Sequence, residues 1–122
     1  MQQQREMRLM GVARSTKQAP MELIKTCRHR LDAIRLCVQL SSLSNEYVSG
    51  QLGIDKGHWT RIMQGKAHFP DAKSVDLMTL CGNYAPLQYE AWACGFDLQE
   101  SSKEQRIREL EAELNRIRKE VA

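Results

Sequence analysis

The chain of 122 residues, 42% hydrophobic and 27% charged, is long enough for one small folded domain with an appendage, and too short for a large catalytic cleft. Its apolar residues never form the uninterrupted run of about 18 to 20 that spans a bilayer, and its first residues lack the apolar centre of a secretory signal. We therefore expect a cytoplasmic protein.

The net charge of +3 is concentrated at the N-terminus. Residues 1–19 carry four basic side chains against Glu6 alone, so the rest of the chain balances to zero. A basic arm of this kind can follow phosphates or enter a minor groove of DNA. A solvated terminus without fixed structure would have the same composition.

The cysteines are far apart and form no Cys-x-x-Cys pair; they are Cys27, Cys37, Cys81 and Cys94. Each occupies an apolar position of a predicted helix, and the three histidines show no ligand spacing with them. We interpret the cysteines as reduced, small hydrophobic residues and expect neither a metal site nor a cofactor.

The first predicted element is an amphipathic helix over residues 20–40. Pro20 suits the first helical turn, and apolar residues then recur at helical spacing for about five turns.

Two short helices follow, on either side of a Gly-Ile-Asp break. Ser44 is placed to cap the first, and Gly53 can end it because glycine adopts a positive φ without a Cβ clash. Asp55 is placed to cap the second, which turns Trp59, Ile62 and Met63 inward. Its other side carries Lys56, Gly57, Thr60, Arg61 and Gln64.

Two further helices complete the domain. Asp71 is placed to cap the fourth, which ends at Gly82, and the fifth runs from Pro86 to Gly95. Because the sequence contains no alternating run rich in β-branched residues, five helices between residues 20 and 95 predict an all-α domain.

Residues 101–122 contain no Gly, Pro or aromatic residue, and Ser101 with Glu104 has the pattern of a capping box. Apolar residues are spaced alternately by three and four, as in a coiled coil. This seam consists of Ile107, Leu110, Leu114, Ile117 and Val121.

An isolated helix of about 20 residues is marginal in water, so the seam predicts a homodimer. In a parallel pair the flanking charges would match Arg106 with Glu111 and Glu113 with Arg118. An antiparallel pair can also match charges, and a helix folded back on its own domain is a further alternative.

Residues 43–66 resemble the motif of the Cro/C1-type (XRE) helix-turn-helix family, and the resemblance extends over roughly residues 22–95. The run Leu43-Ser44-Asn45-Glu46 is similar to the family's Leu-Thr-Gln-Glu, and Leu52-Gly53-Ile54 to its Leu-Gly-Val turn. Trp59, Arg61 and Ile62 follow its Ile-Ser-Arg-Ile pattern, and Gly65-Lys66 matches its closing Gly-Lys.

The resemblance implies a five-helix, lambda-repressor-like DNA-binding domain over residues 20–96. A linker of residues 97–100 would join it to a C-terminal coiled coil of residues 101–122. The implied function is sequence-specific binding of double-stranded DNA by a homodimeric regulator, most simply a repressor of an inverted-repeat operator that also controls its own gene.

In this hypothesis the second short helix reads bases in the major groove, and Arg61 suits the paired acceptors of guanine. The candidate base contacts are Lys56, Gly57, His58, Thr60 and Arg61. The candidate phosphate contacts are Ser44, Asn45 and Lys66, and His58 could join either set.

The sequence also departs from the family pattern. Gly50 lies inside the first short helix, and Trp59 is bulkier than the usual residue. Some members pair an Arg late in helix one with a Glu near the end of the reading helix. Val38 and Met63 occupy these positions here, which predicts an apolar contact in place of an ion pair.

Two other functions fit the same pattern. One is a helix-turn-helix interaction protein that binds a protein, such as a phage-encoded inhibitor of a host defence system or an antitoxin. The other is the DNA-recognition subunit of a transposition or packaging machine. An enzyme is not expected, since the sequence contains no recognisable arrangement of nucleophile and base, paired carboxylates or phosphate-binding glycine loop.

Overall fold

The computed structural model describes residues 16–121, which form seven α-helices and no β-strand. The predicted all-α class is therefore confirmed for this range, whereas most of the predicted basic arm, residues 1–15, lies outside the described residues. None of the described helices combines the length and the apolarity needed to cross a membrane. The helices are α1 (Met21–Ile24), α2 (Arg30–Ser41), α3 (Asn45–Leu52), α4 (Lys56–Met63), α5 (Ser74–Cys81), α6 (Ala85–Ala93) and α7 (Lys103–Val121).

The prediction of one long first helix is wrong, because the chain turns between α1 and α2. His29 caps α2 by accepting a hydrogen bond from the backbone N–H of Asp32. The Asp32 carboxylate in turn accepts one from the N–H of Arg28, at 3.0 Å. These local bonds satisfy backbone donors at a new helix start and so compete with a continuous helix.

The core lies where the helices of residues 21–93 meet. Helix α2 packs against α5 and α6, α3 packs against α4 and α5, and α1 packs against α6. The side chains almost fully buried at the centre are Ile24, Ile34, Val48, Leu52, Ile62 and Leu77.

A buried glutamine holds the segment before α1 against the core. Gln88 is only 2% exposed, and its amide oxygen accepts a hydrogen bond from the N–H of Ala19 at 2.7 Å. Its amide nitrogen donates to the carbonyl of Ala19 at 2.9 Å. Lys17 also bonds through its backbone to Gly82 and Tyr84, so residues 17–19 are fastened to the α5–α6 turn.

The predicted helix ends were right in part. Ser44 and Asp55 cap α3 and α4, and Gly53 and Gly82 end α3 and α5 with positive φ. Asp71 does not cap α5, because its carboxylate pairs with Arg30 and a 3-10 turn (Asp71–Lys73) precedes the helix.

The cysteines were predicted to be small hydrophobic residues, and this is wrong for one of the four. Cys27, Cys37 and Cys81 are buried and free, whereas Cys94 is free and exposed after the end of α6. A hydrogen bond with Cys81 and burial raise the pKa of Cys37 above its ordinary value. Cys37 therefore stays protonated and behaves as part of the core.

Helix α7 begins at Lys103, one residue later than a cap at Ser101 predicts, and its cap is Ser102. The Ser102 hydroxyl accepts the N–H of Gln105 at 3.0 Å, so the capping pattern is shifted by one residue. The non-helical stretch after α6 therefore covers residues 94–102 instead of 97–100. The five seam residues remain 45% to 81% exposed, so the seam is not folded back on the domain.

Two glycines, one inside α3 and one directly after it, give opposite expectations for stability. A Cβ on Gly50 would meet nothing within 4 Å, so Gly50→Ala should stabilise the helix by up to about 1 kcal/mol. Gly53 has φ +68°, where an L-residue is strained, so Gly53→Ala should destabilise the fold by about 1–2 kcal/mol. Urea unfolding of both variants measures the difference, and two changes of the same sign would contradict this description of α3.

Candidate nucleic-acid interface

Helices α3 and α4 are joined by a tight turn whose backbone groups are satisfied locally. The Ser44 hydroxyl accepts the N–H of Tyr47 at 3.1 Å and caps α3. After Gly53, the N–H of Ile54 bonds to the carbonyl of Ser49 at 2.9 Å. The Asp55 carboxylate then accepts the N–H groups of Gly57 and His58, which starts α4 directly after the turn.

The inner face of α4 is anchored in the core. Trp59 is 3% exposed and Ile62 is fully buried. The Trp59 ring meets Phe69 edge to face, with 6.2 Å between the ring centroids. This packing fixes which side of the short helix faces outward.

A side-chain hydrogen bond ties the start of α3 to α4. The indole Nε1–H of Trp59 donates to the Oδ1 atom of Asn45 at 3.1 Å. Asn45 is exposed, and its amide NH₂ makes no hydrogen bond within residues 16–121. Trp59 therefore holds Asn45, which was predicted to contact a phosphate, and leaves the NH₂ donors of Asn45 available.

The outer face of α4 carries all five predicted base contacts, and each of them is exposed: Lys56, Gly57, His58, Thr60 and Arg61. The side chains of Lys56, His58 and Arg61 make no hydrogen bond or ion pair with any other residue in the described range. Thr60 differs, since its hydroxyl donates to the carbonyl of Lys56 at 3.0 Å. Because the hydroxyl proton of Thr60 is used in this bond, only its hydroxyl lone pairs and its methyl group remain available to a ligand.

The presence of glycine at position 57 has a structural explanation in addition to the predicted role of Gly57 in contacting bases. A Cβ at this position would lie 3.3 Å from the Asp55 carboxylate that caps α4. The absence of a side chain thus suits the cap, and it also leaves the first turn of α4 open to close approach from outside.

The predicted phosphate contacts lie near the two ends of the motif. Ser44 and Asn45 are exposed at the start of α3, where unpaired backbone N–H groups and the helix dipole favour an anion. Lys66 is exposed after α4, and its backbone N–H bonds to the carbonyl of Arg61 at 2.8 Å. Whether these residues touch DNA stays a prediction.

Two basic residues that the sequence analysis missed support the C-terminal ends of the motif helices. Arg35 of α2 donates to the carbonyl of Met63, with 3.0 Å from its Nε, and Lys73 donates to the carbonyl of Leu52. A cation at a helix C-terminus pairs with carbonyls that have no partner in the helix. Arg35 lies one helical turn before Val38, the position at which some members of the similar family carry an Arg. A basic residue so close to that position was the sequence signal that could have identified Arg35.

The predicted contact between Val38 and Met63 stays a prediction. Val38 is buried, and Met63 is half-buried against the same core. The bond that does link α2 to the end of α4 comes from Arg35, which donates to the backbone carbonyl of Met63 and also pairs with Asp32 within α2.

In residues 16–121, no group of three or more His, Cys, Asp or Glu side chains is arranged to hold a metal ion.

Comparisons with protein-family models, curated proteins and solved structures found no match for this chain. Its function is therefore inferred from its own geometry and chemistry.

The Trp59–Asn45 bond can be tested by a double-mutant cycle. Asn45→Ala should cost about 1 kcal/mol of unfolding free energy, because it removes the partner of a part-buried indole N–H. In a Trp59→Phe background, which lacks that N–H, the same change should cost markedly less. Urea unfolding measures both, with exposed Gln51→Ala in α3 as the control, and strictly additive effects would contradict the coupling.

Proposed function

We propose that this chain is a non-enzymatic, cytoplasmic DNA-binding regulator with a lambda-repressor-like domain, which reads a specific sequence as a homodimer and acts as a repressor. The observation that carries the proposal is the contrast between the two faces of α4. Its inner face is buried through Trp59 and Ile62, whereas Lys56, His58 and Arg61 are exposed and unpaired within the described residues.

In this proposal the outer face of α4 lies in the major groove. Arg61 donates two hydrogen bonds to guanine, and Lys56 donates to an acceptor near the start of the helix. Thr60 offers its methyl group and the lone pairs of its hydroxyl, because its proton is already engaged with the Lys56 carbonyl. The recognised base sequence would thus be determined mainly by Arg61 and Lys56, whose hydrogen-bond donors are unoccupied.

Phosphates on either side of the groove would fix how deeply and at what angle α4 enters. Ser44 and the free NH₂ of Asn45 lie at the positive end of α3, and Lys66 follows the other helix. Because Asn45 is held by Trp59, its phosphate contact would be set in register with the base-reading residues. A phosphate contact of this kind positions the protein without reading sequence.

A single domain of this size would cover only a half-site and would depend on phosphate attraction that salt screens. Two domains would place two α4 helices about one DNA turn apart, roughly 34 Å, on an inverted repeat. The exposed seam of α7 supplies a surface for pairing. The homodimer is therefore part of the proposed mechanism of DNA binding.

The base-reading role is tested by binding to the DNA upstream of the protein's own gene and to scrambled DNA of equal length, over several salt concentrations. We expect a preference of about a thousandfold for the upstream DNA, lost in Arg61→Ala. The control is Arg28→Ala, which removes an equal charge from an exposed side chain between α1 and α2. An equal loss in both variants would contradict base reading by Arg61, and no binding to either DNA would favour a protein partner.

The role of α7 is tested by deleting residues 100–122. No described side chain of this helix is buried, so the melting temperature should change little. Affinity for the operator should fall by at least tenfold, because the two half-sites are no longer bound as one unit. Unchanged affinity would remove α7 from the mechanism, and loss of the folded domain would show that α7 supports the core.

A further inference from the structure

The seam of α7 is the largest run of exposed apolar side chains along one helix in the described residues. Ile107, Leu110, Leu114, Ile117 and Val121 are each at least 45% exposed. Apart from Ala112, the other positions of the helix are polar or charged. Such a helix is marginal alone, and its apolar stripe requires a partner surface.

We propose that a second copy of this chain covers the seam, with the two α7 helices parallel and in register. The inference rests on the homodimer of the proposed function and adds its geometry, which the apolar spacing alone leaves open. A seam spaced by three and four residues is complementary to itself, because each side chain can enter a hole formed by the facing helix. Orientation is then decided by the charged residues that flank the seam.

In the parallel arrangement every flanking pair is attractive. Arg106 faces Glu111 of the second copy, and Glu113 faces its Arg118, and symmetry repeats each pair. Glu111 and Arg118 have no ion pair with any described residue, so both are available. Arg106 and Glu113 pair within the helix with Glu109 and Arg116, but exposed pairs of this kind are weak and can exchange.

The antiparallel arrangement matches some charges, such as Arg106 with Glu120, but it also opposes like charges. With Leu110 packed against Leu114 of the second copy, Glu113 faces Glu113 and Glu111 faces Glu111. Sliding the helices by one heptad removes the second repulsion but places Glu113 against Glu120 on both sides. Sliding them by one heptad in the other direction places Glu104 against Glu111. Each of these antiparallel registers therefore retains a repulsive pair of carboxylates, whereas the parallel register has none.

The parallel pair also determines where the DNA-binding domains lie. A helix of 19 residues is about 28 Å long, so antiparallel helices would attach the two domains at opposite ends of the rod. Parallel helices attach both domains at the same end, each through residues 94–102. Both α4 helices can then face one stretch of DNA.

Disulfide trapping in the full-length chain tests the orientation directly. In a Cys94→Ser background, which removes the exposed native thiol, Ile107→Cys and Ile117→Cys are prepared separately and oxidised with glutathione disulfide. In parallel helices each introduced thiol lies next to the same thiol of the second copy, so each variant should form a covalent dimer by itself. Ala112→Cys, on the exposed side opposite the seam, is the control and should stay monomeric on a non-reducing gel.

The opposite result has an equally clear signature. In the antiparallel register that pairs Leu110 with Leu114, residue 107 lies across from residue 117, so only a mixture of Ile107→Cys and Ile117→Cys would give a covalent dimer. That outcome would overturn the orientation and leave the proposed function intact. The pairing itself would be overturned if the unmodified chain sedimented as a monomer in analytical ultracentrifugation and neither variant formed a covalent dimer. That result would not decide whether Arg61 binds DNA, which the DNA-binding comparison with Arg61→Ala tests independently.

Discussion

The candidate interface depends on the burial of one face of an eight-residue helix. A helix as short as α4 is not stable in isolation, so its orientation is set by the contacts of Trp59 and Ile62 with the core. The Asp55 cap, the Trp59–Asn45 bond and the Arg35–Met63 bond hold the start, the middle and the end of the helix. These supports all lie on the inner side or at the ends, so the outer side chains do not anchor α4 to the core. They are free to contact a ligand.

The positive charges of the domain are divided between support and exposure. Arg30 pairs with Asp71 and Glu90, and Arg35 and Lys73 bond to the carbonyls at helix ends. Lys56 and Arg61 have no such partner in the described part of the chain. A nearly neutral domain can therefore present a basic helix, because several of its cations are engaged within the fold whereas those on the outer face of α4 are not. Net charge alone would not reveal this division.

The features that could be predicted from the sequence are those with a local cause. The caps at Ser44 and Asp55 and the turn at Gly53 follow from residue chemistry over two or three positions. The break before α2 was missed because histidine is an unusual cap and the apolar spacing continues across the turn. At α7, Ser101 with Glu104 and Ser102 with Gln105 fit the same capping pattern, so the sequence could not choose between them. The bonds from Gln88 to Ala19 and from Trp59 to Asn45 join residues far apart in the chain, and no local pattern indicates such pairs.

The central claim is that the exposed face of α4 reads a DNA sequence for a symmetric pair of domains. The most direct measurement is selection of bound duplexes by the full-length chain from a pool of random DNA, followed by sequencing. We expect enrichment of an inverted repeat whose half-sites are centred about one helical turn apart. A pool that stays random while the protein binds it would contradict sequence reading, and an enriched single site without symmetry would contradict the paired arrangement.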